Sequence, residues 1–110
     1  MSEFSDIRLF SFWMGKAMGK TASGHVFTVL LDPVAKKGNL RTARHPEGGH
    51  IRSMAITTGE TRIPNRRTVW HFEAGASRGY DPDCDPAALA LLASRIAKFV
   101  EEVFFFGTDA

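Results

Sequence analysis

Two histidines and one glutamate lie close together in the segment HPEGGH at residues 45–50. Imidazole nitrogens and carboxylate oxygens are the side-chain ligands of zinc and related divalent metals. Another histidine lies on a strand predicted to run nearby, so it can approach the same point. One hypothesis for this chain is therefore a metal-dependent enzyme, whose candidate ligands are His45, Glu47, His50 and His71.

The spacing of these residues argues against a metal site. The two loop histidines are five positions apart, so they share no face of a helix, and the glycines between them leave the backbone free to move. The pattern His-x-Glu is half of the zinc deaminase motif, but the paired cysteines of that motif are missing because Cys84 is the only cysteine. We therefore expect a solvated loop with incidental histidines, no cofactor and no enzymatic activity.

Neither of two further segments matches a catalytic motif. Residues 15–21 end in Gly-Lys-Thr, as a phosphate-binding loop does, but Met14 stands where the first glycine is required and a strand is expected to follow instead of a helix. Cys84 lies between Asp83 and Asp85, and two carboxylates disfavour a reactive thiolate. We expect a glycine-rich, solvated loop in the first case and no nucleophile in the second.

Positive charge is concentrated in the middle third of the chain. Residues 33–71 contain eight Lys or Arg and two acids, whereas the residues from 72 onward contain three Lys or Arg and seven acids. Arginine predominates in the basic part, and its guanidinium group binds phosphate or carboxylate through two hydrogen bonds. A second hypothesis is therefore a nucleic-acid-binding module that uses residues 36–67. The arginines expected to contact a partner are Arg41, Arg44, Arg62, Arg66 and Arg67.

Hydrophobic periodicity and turn residues predict the elements that position these side chains. Runs of branched and aromatic residues predict strands at 7–14, His25–Leu31, Ile51–Thr58 and 67–73. Polar, glycine-containing sequence predicts a long loop over residues 36–49. A helix is predicted over residues 86–106, because Asp85 suits the N-cap, Pro86 suits the first helical position, and apolar residues recur at spacings of three and four.

These elements predict one α+β domain over residues 1–110, with an antiparallel sheet of about four strands and one C-terminal helix packed on one face. The two later strands are expected to form a hairpin in which Ala55 faces Trp70 and Arg52 faces Glu73. That register leaves the other face of the hairpin exposed and partly apolar, with a charged rim, as in many protein interfaces. Its centre is formed by Met54, Ile56 and Val69.

The leading hypothesis is a small non-enzymatic binding protein of the inhibitor, immunity or adaptor type. It would act through its apolar sheet face or its arginine-rich loops, on a second copy of itself as a homodimer or on another protein. No membrane association is expected, because Glu101 and Glu102 interrupt the longest apolar run near the C-terminus well short of the ~20 residues that span a bilayer. A single cysteine and the lack of a signal-peptide pattern favour a cytoplasmic location.

Overall fold

The computed structural model describes residues 6–42, 45–58, 68–73, 76–79 and 85–106. Six strands precede one helix: β1 Ile7–Trp13, β2 Lys16–Thr21, β3 His25–Leu31, β4 Ile51–Thr58, β5 Thr68–Glu73, β6 Ala76–Gly79 and α1 Pro86–Glu101. A π-helical turn, Glu102–Phe106, continues α1. Neither helical segment of the described residues is long and apolar enough to cross a membrane.

The strands form one antiparallel sheet in sequence order, from β1 at one edge to β6 at the other. The predicted α+β class with a single C-terminal helix is confirmed, and the sheet is larger than the expected four strands. The start of the helix is as predicted, because the Asp85 carboxylate accepts a hydrogen bond of 3.0 Å from the Ala87 backbone nitrogen and Pro86 occupies the first turn.

Strand β2 is an element that the sequence pattern does not predict. Its residues are expected to form a glycine-rich loop, but they pair with both β1 and β3. Gly19 is needed here because a Cβ atom at this position would overlap the ring of Phe27. Lysine and glycine have low strand propensity, so the local sequence does not reveal a strand that its neighbours stabilise. Since a strand occupies the segment, the phosphate-loop interpretation is excluded.

One face of the sheet and one face of α1 enclose the core. Two rows of side chains run across the strands on this face of the sheet. One row consists of Gly19, Phe27, Ile56 and Trp70, and the other consists of Ala17, Val29, Met54 and Phe72. The helix contributes residues that recur every three or four positions, as an amphipathic helix does. They are Leu89, Ala93, Ile96, Ala97 and Val100.

The register of the β4–β5 hairpin differs by one residue from the predicted register. Met54 faces Phe72 and Ile56 faces Trp70, with an irregularity between Ile56 and Thr57. Relative to β5, this shift places Met54 and Ile56, instead of Ala55, on the α1 side of the sheet beside Phe72 and Trp70. The expected exposed patch is therefore wrong, because Met54, Ile56 and Val69 are at most 1% exposed. They lie in the core under α1.

The same shift removes the expected pair between Arg52 and Glu73. Ser53 stands opposite Glu73, and the Arg52 guanidinium lies 3.9 Å from the carboxylate of Asp32. Lys36 is 4.0 Å from that carboxylate as well. Asp32, at the end of β3, therefore compensates two of the cations that made the middle of the chain basic.

The loop between β3 and β4 contains no helix or strand in its described part, as predicted for residues 36–49. Its backbone is nevertheless held in place. The Lys36 nitrogen donates to the Gly49 carbonyl at 3.1 Å, the Gly49 nitrogen donates to the Leu40 carbonyl at 3.0 Å, and the Leu40 nitrogen donates to the Ile51 carbonyl at 2.9 Å. The loop is folded back on the start of β4, which brings its histidines to the end of α1.

Candidate functional site

His45, His50 and Glu101 form a cluster of potential metal ligands. One ligand atom from each residue lies within 4.8 Å of the others. The two imidazole rings are perpendicular, with centroids 5.2 Å apart. His50 and Glu101 are buried and His45 is partly buried, so the cluster lies beneath the surface beside the last turn of α1.

The ring of His50 is fixed by a hydrogen bond to the backbone of Asp32, the residue that follows β3. Its Nδ1 atom lies 3.0 Å from the carbonyl oxygen of Asp32, and because a carbonyl only accepts, Nδ1 carries the hydrogen. A backbone carbonyl that fixes a histidine in this way is the usual outer-shell partner of a metal-binding imidazole.

Glu101 is the last residue of α1 and is only 2% exposed. Its Oε2 atom accepts a hydrogen bond of 3.4 Å from the His50 backbone nitrogen and lies 3.6 Å from Nδ1 of His45. Gly49 allows this approach, since a Cβ atom there would lie 2.6 Å from the same oxygen. The carboxylate thus joins the helix end to the loop.

A signal for Glu101 is present in the sequence, although it is not a local motif. Glu101 follows Ala97 by four positions and therefore lies on the buried face of α1. Considered along the chain alone, it is simply a charge that interrupts an apolar run. An acid on the buried face of a predicted helix, with histidines elsewhere in the chain, is the pattern that finds such a cluster.

The other two predicted ligands are not in the cluster. Glu47 is exposed and faces a different cleft of about 570 Å³, which Lys37, Asn39 and Phe72 also line. His71 is on β5, where its Nε2 atom lies 3.8 Å from the carboxylate of Glu73. The structure therefore brings together two of the four predicted residues and adds one.

A cleft of about 430 Å³ opens next to the cluster. Glu101 lines it together with Arg41, Thr42, Pro46, Ser94, Ala97, Lys98 and Glu102. Of the predicted partner-binding arginines, Arg41 is exposed at this cleft. The other four, Arg44, Arg62, Arg66 and Arg67, lie outside the described residues.

A second feature is the exposure of apolar side chains along β1, the edge strand of the sheet. Phe10 is 55% exposed, Phe12 51%, Trp13 74% and Met14, in the following turn, 86%. The ring of Phe12 packs on that of Phe104, with centroids 4.5 Å apart. Beside this pair is a groove of about 360 Å³, which Leu31, Asp32 and Pro33 help to line. We call Phe10, Phe12, Trp13 and Met14 the aromatic edge.

The charge along the first two strands is positive, and the acid that lines the groove, Asp32, is already paired with Lys36 and Arg52. Residues 7–21 contain three cations, Arg8, Lys16 and Lys20, and no acid. Arg8 pairs across the strands with Lys20, and Trp13 pairs with Lys16. The nearest acid along the chain, Asp6, is engaged by Arg95 through hydrogen bonds of 2.7 and 2.9 Å. The hydrogen bond from Arg95 lowers the pKa of Asp6.

The fold and these two features define a small α+β protein with a meander sheet, one covering helix, a buried His-His-Glu cluster and an exposed aromatic edge. No family model, curated protein or solved structure matches the chain.

Proposed function

We propose that this chain is a non-enzymatic binding protein that acts through contacts with another protein, and that the aromatic edge is its contact surface. The observation that carries the proposal is the exposure of Phe10, Phe12 and Trp13 on edge strand β1 and of Met14 in the turn that follows. Phe12 lies on the α1 side of the sheet and Trp13 on the opposite side, so a partner contacts this edge from both sides. Large apolar side chains grouped on a surface are typical of interfaces, and tryptophan and phenylalanine are enriched there. A cytoplasmic location remains part of the proposal.

We expect the partner to contact the side chains of β1 and not to add a strand to its backbone. Exposed edge strands usually carry features that prevent pairing with other chains, and β1 has two, the charge of Arg8 and the irregular register between Leu9 and Ser11. The apolar half of the strand follows that irregularity. The groove beside Phe12 and Phe104 can take one apolar side chain of a partner, as the centre of an interface commonly does.

The charge indicates the chemistry of the partner. The surface around the edge carries Arg8, Lys16 and Lys20, so a partner with apolar side chains and an acidic rim is complementary. A second copy of this chain would bring the same cations together across a two-fold axis. The proposal therefore favours a different, acidic protein over the homodimer.

Nucleic acid is the alternative partner, and one observation favours it. Trp13 and Lys16 are neighbours on the face of the sheet opposite α1, as aromatic and basic residues are in proteins that stack single-stranded bases. However, the central strands present Thr28 and Ala55 on that face, where a stacking platform needs aromatic rings. The aromatic side chains lie at the edge and at the hairpin tip, which suits a protein surface better.

Selection from a phage-displayed random-peptide library tests the proposal directly, because the library samples peptides of every charge and hydrophobicity. We expect enriched peptides that combine Asp or Glu with large apolar residues and that lose binding to the Trp13→Ala variant. Leu91→Ala is the matched control, because Leu91 is a large apolar residue that is 69% exposed on α1 and is not part of the aromatic edge. Binding of a labelled oligothymidylate that falls steeply with salt and with Lys16→Glu, without peptide enrichment, would favour the nucleic-acid alternative instead.

A further inference from the structure

We infer that His45, His50 and Glu101 bind one divalent transition-metal ion, and that zinc is the ion these ligands suit best. This site is separate from the aromatic edge and does not depend on the proposed protein-binding function. Two imidazole nitrogens and one carboxylate oxygen are a common zinc ligand set, and the same set serves non-haem iron. Three features support this site: the burial of Glu101, the orientation of His50, and the close packing that Gly48 and Gly49 allow.

The burial of Glu101 requires positive charge nearby. A carboxylate that is removed from water is costly unless it is paired and hydrogen-bonded, and this side chain is 3% exposed. Among the described residues, this carboxylate contacts a backbone N–H at 3.4 Å and Nδ1 of His45 at 3.6 Å. Arg41 and Lys98 line the adjoining cleft. A divalent cation at the cluster provides charge compensation directly and uses the lone pairs of the imidazoles.

The orientation of His50 is the arrangement that a metal site needs. The Nδ1 hydrogen is donated to the Asp32 carbonyl, so Nε2 is the nitrogen through which this ring would coordinate an ion. The backbone of His45 is also fixed, because its nitrogen lies 3.1 Å from the Thr42 carbonyl and 3.2 Å from the Thr42 hydroxyl. Both ligand-bearing residues of the loop are therefore held in place before any ion binds.

The two glycines of the HPEGGH segment make the cluster possible. Gly48 has a backbone φ of +145°, which residues with a side chain rarely adopt, and a Cβ atom there would overlap the Lys36 carbonyl. Gly49 leaves space for the Glu101 carboxylate against the backbone. From the sequence alone these two glycines indicate a flexible loop. In the structure they instead allow the loop to pack closely against α1.

The cluster has to contract slightly to hold zinc. Metal–ligand distances of about 2.0–2.1 Å in a tetrahedron place ligand atoms about 3.3 Å apart, and here they lie within 4.8 Å. Rotation of the partly exposed His45 side chain can close this difference. Three protein ligands are one fewer than in a closed structural site, so water or a small anion from the adjacent cleft completes the coordination.

The competing account is a metal-free contact, in which Glu101 pairs with His45 and only fastens the loop to the helix. Titration of untagged, chelator-treated protein with Co²⁺ separates the two accounts, because bound cobalt absorbs visible light in a manner that depends on its ligands. We expect one equivalent of Co²⁺ to bind and to be displaced by Zn²⁺, whereas Mg²⁺, which prefers oxygen ligands, has no effect.

Variants assign the ligands. Loss of a residue that only hydrogen-bonds to a metal ligand typically weakens metal binding by about 10–100-fold. His45 and Glu101 are proposed as direct ligands, so His45→Ala and Glu101→Gln should each weaken Co²⁺ binding by more than about a hundredfold. The controls are His71→Ala and Glu73→Gln, which alter the same residue types on β5, outside the cluster and its adjoining cleft, and should leave the affinity within about twofold. Circular dichroism checks that each variant is folded. Failure of the wild-type protein to bind Co²⁺ or Zn²⁺ at micromolar concentration, or equal binding by all variants, would overturn the inference.

Discussion

Glu101 and His45 lie in different elements, yet the Glu101 carboxylate is 3.6 Å from Nδ1 of His45 and almost completely buried. This contact joins the end of α1 to the loop that precedes β4. It lies where the chain has an unusual local backbone, since α1 changes to a π-helical turn directly after Glu101.

The first prediction concerns this contact in the absence of metal. With a chelator present, Glu101→Gln should lower the free energy of unfolding by about 2 kcal/mol, because the neutral amide no longer pairs with His45 and leaves buried polar groups poorly satisfied. Urea denaturation measures the change. Glu102→Gln, in the next position but only partly buried, should change it by less than about 0.5 kcal/mol. Equal effects of the two substitutions would show that burial of Glu101 is unimportant.

The second prediction compares two glycines with positive φ. At Gly38 a Cβ atom would meet nothing within 4 Å, so Gly38→Ala should cost only the backbone strain of about 1–2 kcal/mol. At Gly48 a Cβ atom would overlap the Lys36 carbonyl as well, so Gly48→Ala should cost about 3 kcal/mol or more. Chemical denaturation of both variants measures the difference. If Gly48→Ala were the milder change, the described path of the loop would be incorrect.

The third prediction follows from the corrected register of the hairpin. Ile56 is fully buried, so Ile56→Ala should lower the free energy of unfolding by about 2–5 kcal/mol. Under the register predicted from the sequence, Ile56 is exposed and the same change would cost little. Leu91→Ala, at an exposed position of α1, provides the comparison and should cost less than about 0.5 kcal/mol. Thermal and urea denaturation of both variants decide between the two registers.

The fourth prediction is a pH dependence. Because the hydrogen bond from Arg95 lowers the pKa of Asp6 in the folded chain, the pair stabilises the fold in full above the ordinary aspartate pKa of about 3.9 and loses this contribution as the pH falls through the lowered folded value. Asp6→Asn should therefore lower Tm at neutral pH, and the difference from the wild type should shrink below about pH 4. The effect should be small, since both side chains are over one third exposed.

A second variant checks the cause of that pH dependence. Arg95→Gln removes the donor and should reproduce both the lower Tm at neutral pH and its disappearance in acid. If Arg95→Gln leaves Tm unchanged at neutral pH while Asp6→Asn lowers it, the ion pair is not the source of the effect.

Local patterns in the sequence predict the elements whose signals are local. The strand His25–Leu31, with apolar residues on both faces, and the helix start at Pro86 are both predicted correctly, because periodicity and capping depend on nearby residues. Strand β2 is not predicted because the reason for Gly19 is a tertiary contact: the ring of Phe27 on the neighbouring strand leaves no space for a Cβ atom there. Tertiary packing overrides strand propensity in such cases.

The candidate site is predictable only in part. His45 and His50 are recognisable as ligand types, but Glu101 joins them from the other end of the chain, and no local spacing reveals a contact between a loop and a helix end. The apolar face of the hairpin is misplaced in the prediction because the irregularity between Ile56 and Thr57 shifts the register by one residue. The residues that form the aromatic edge are predicted as a strand, and their exposure depends on β1 being at the edge of the sheet.

The central claim is that the aromatic edge binds a partner protein through Trp13 and its neighbours. The most direct measurement is the affinity of a peptide selected on the wild-type protein, compared between wild type, Trp13→Ala and Leu91→Ala by fluorescence polarisation. The account predicts at least a tenfold loss for Trp13→Ala, as expected for a central interface tryptophan, and less than a twofold change for Leu91→Ala. Selected peptides that bind Trp13→Ala as tightly as the wild type would contradict it.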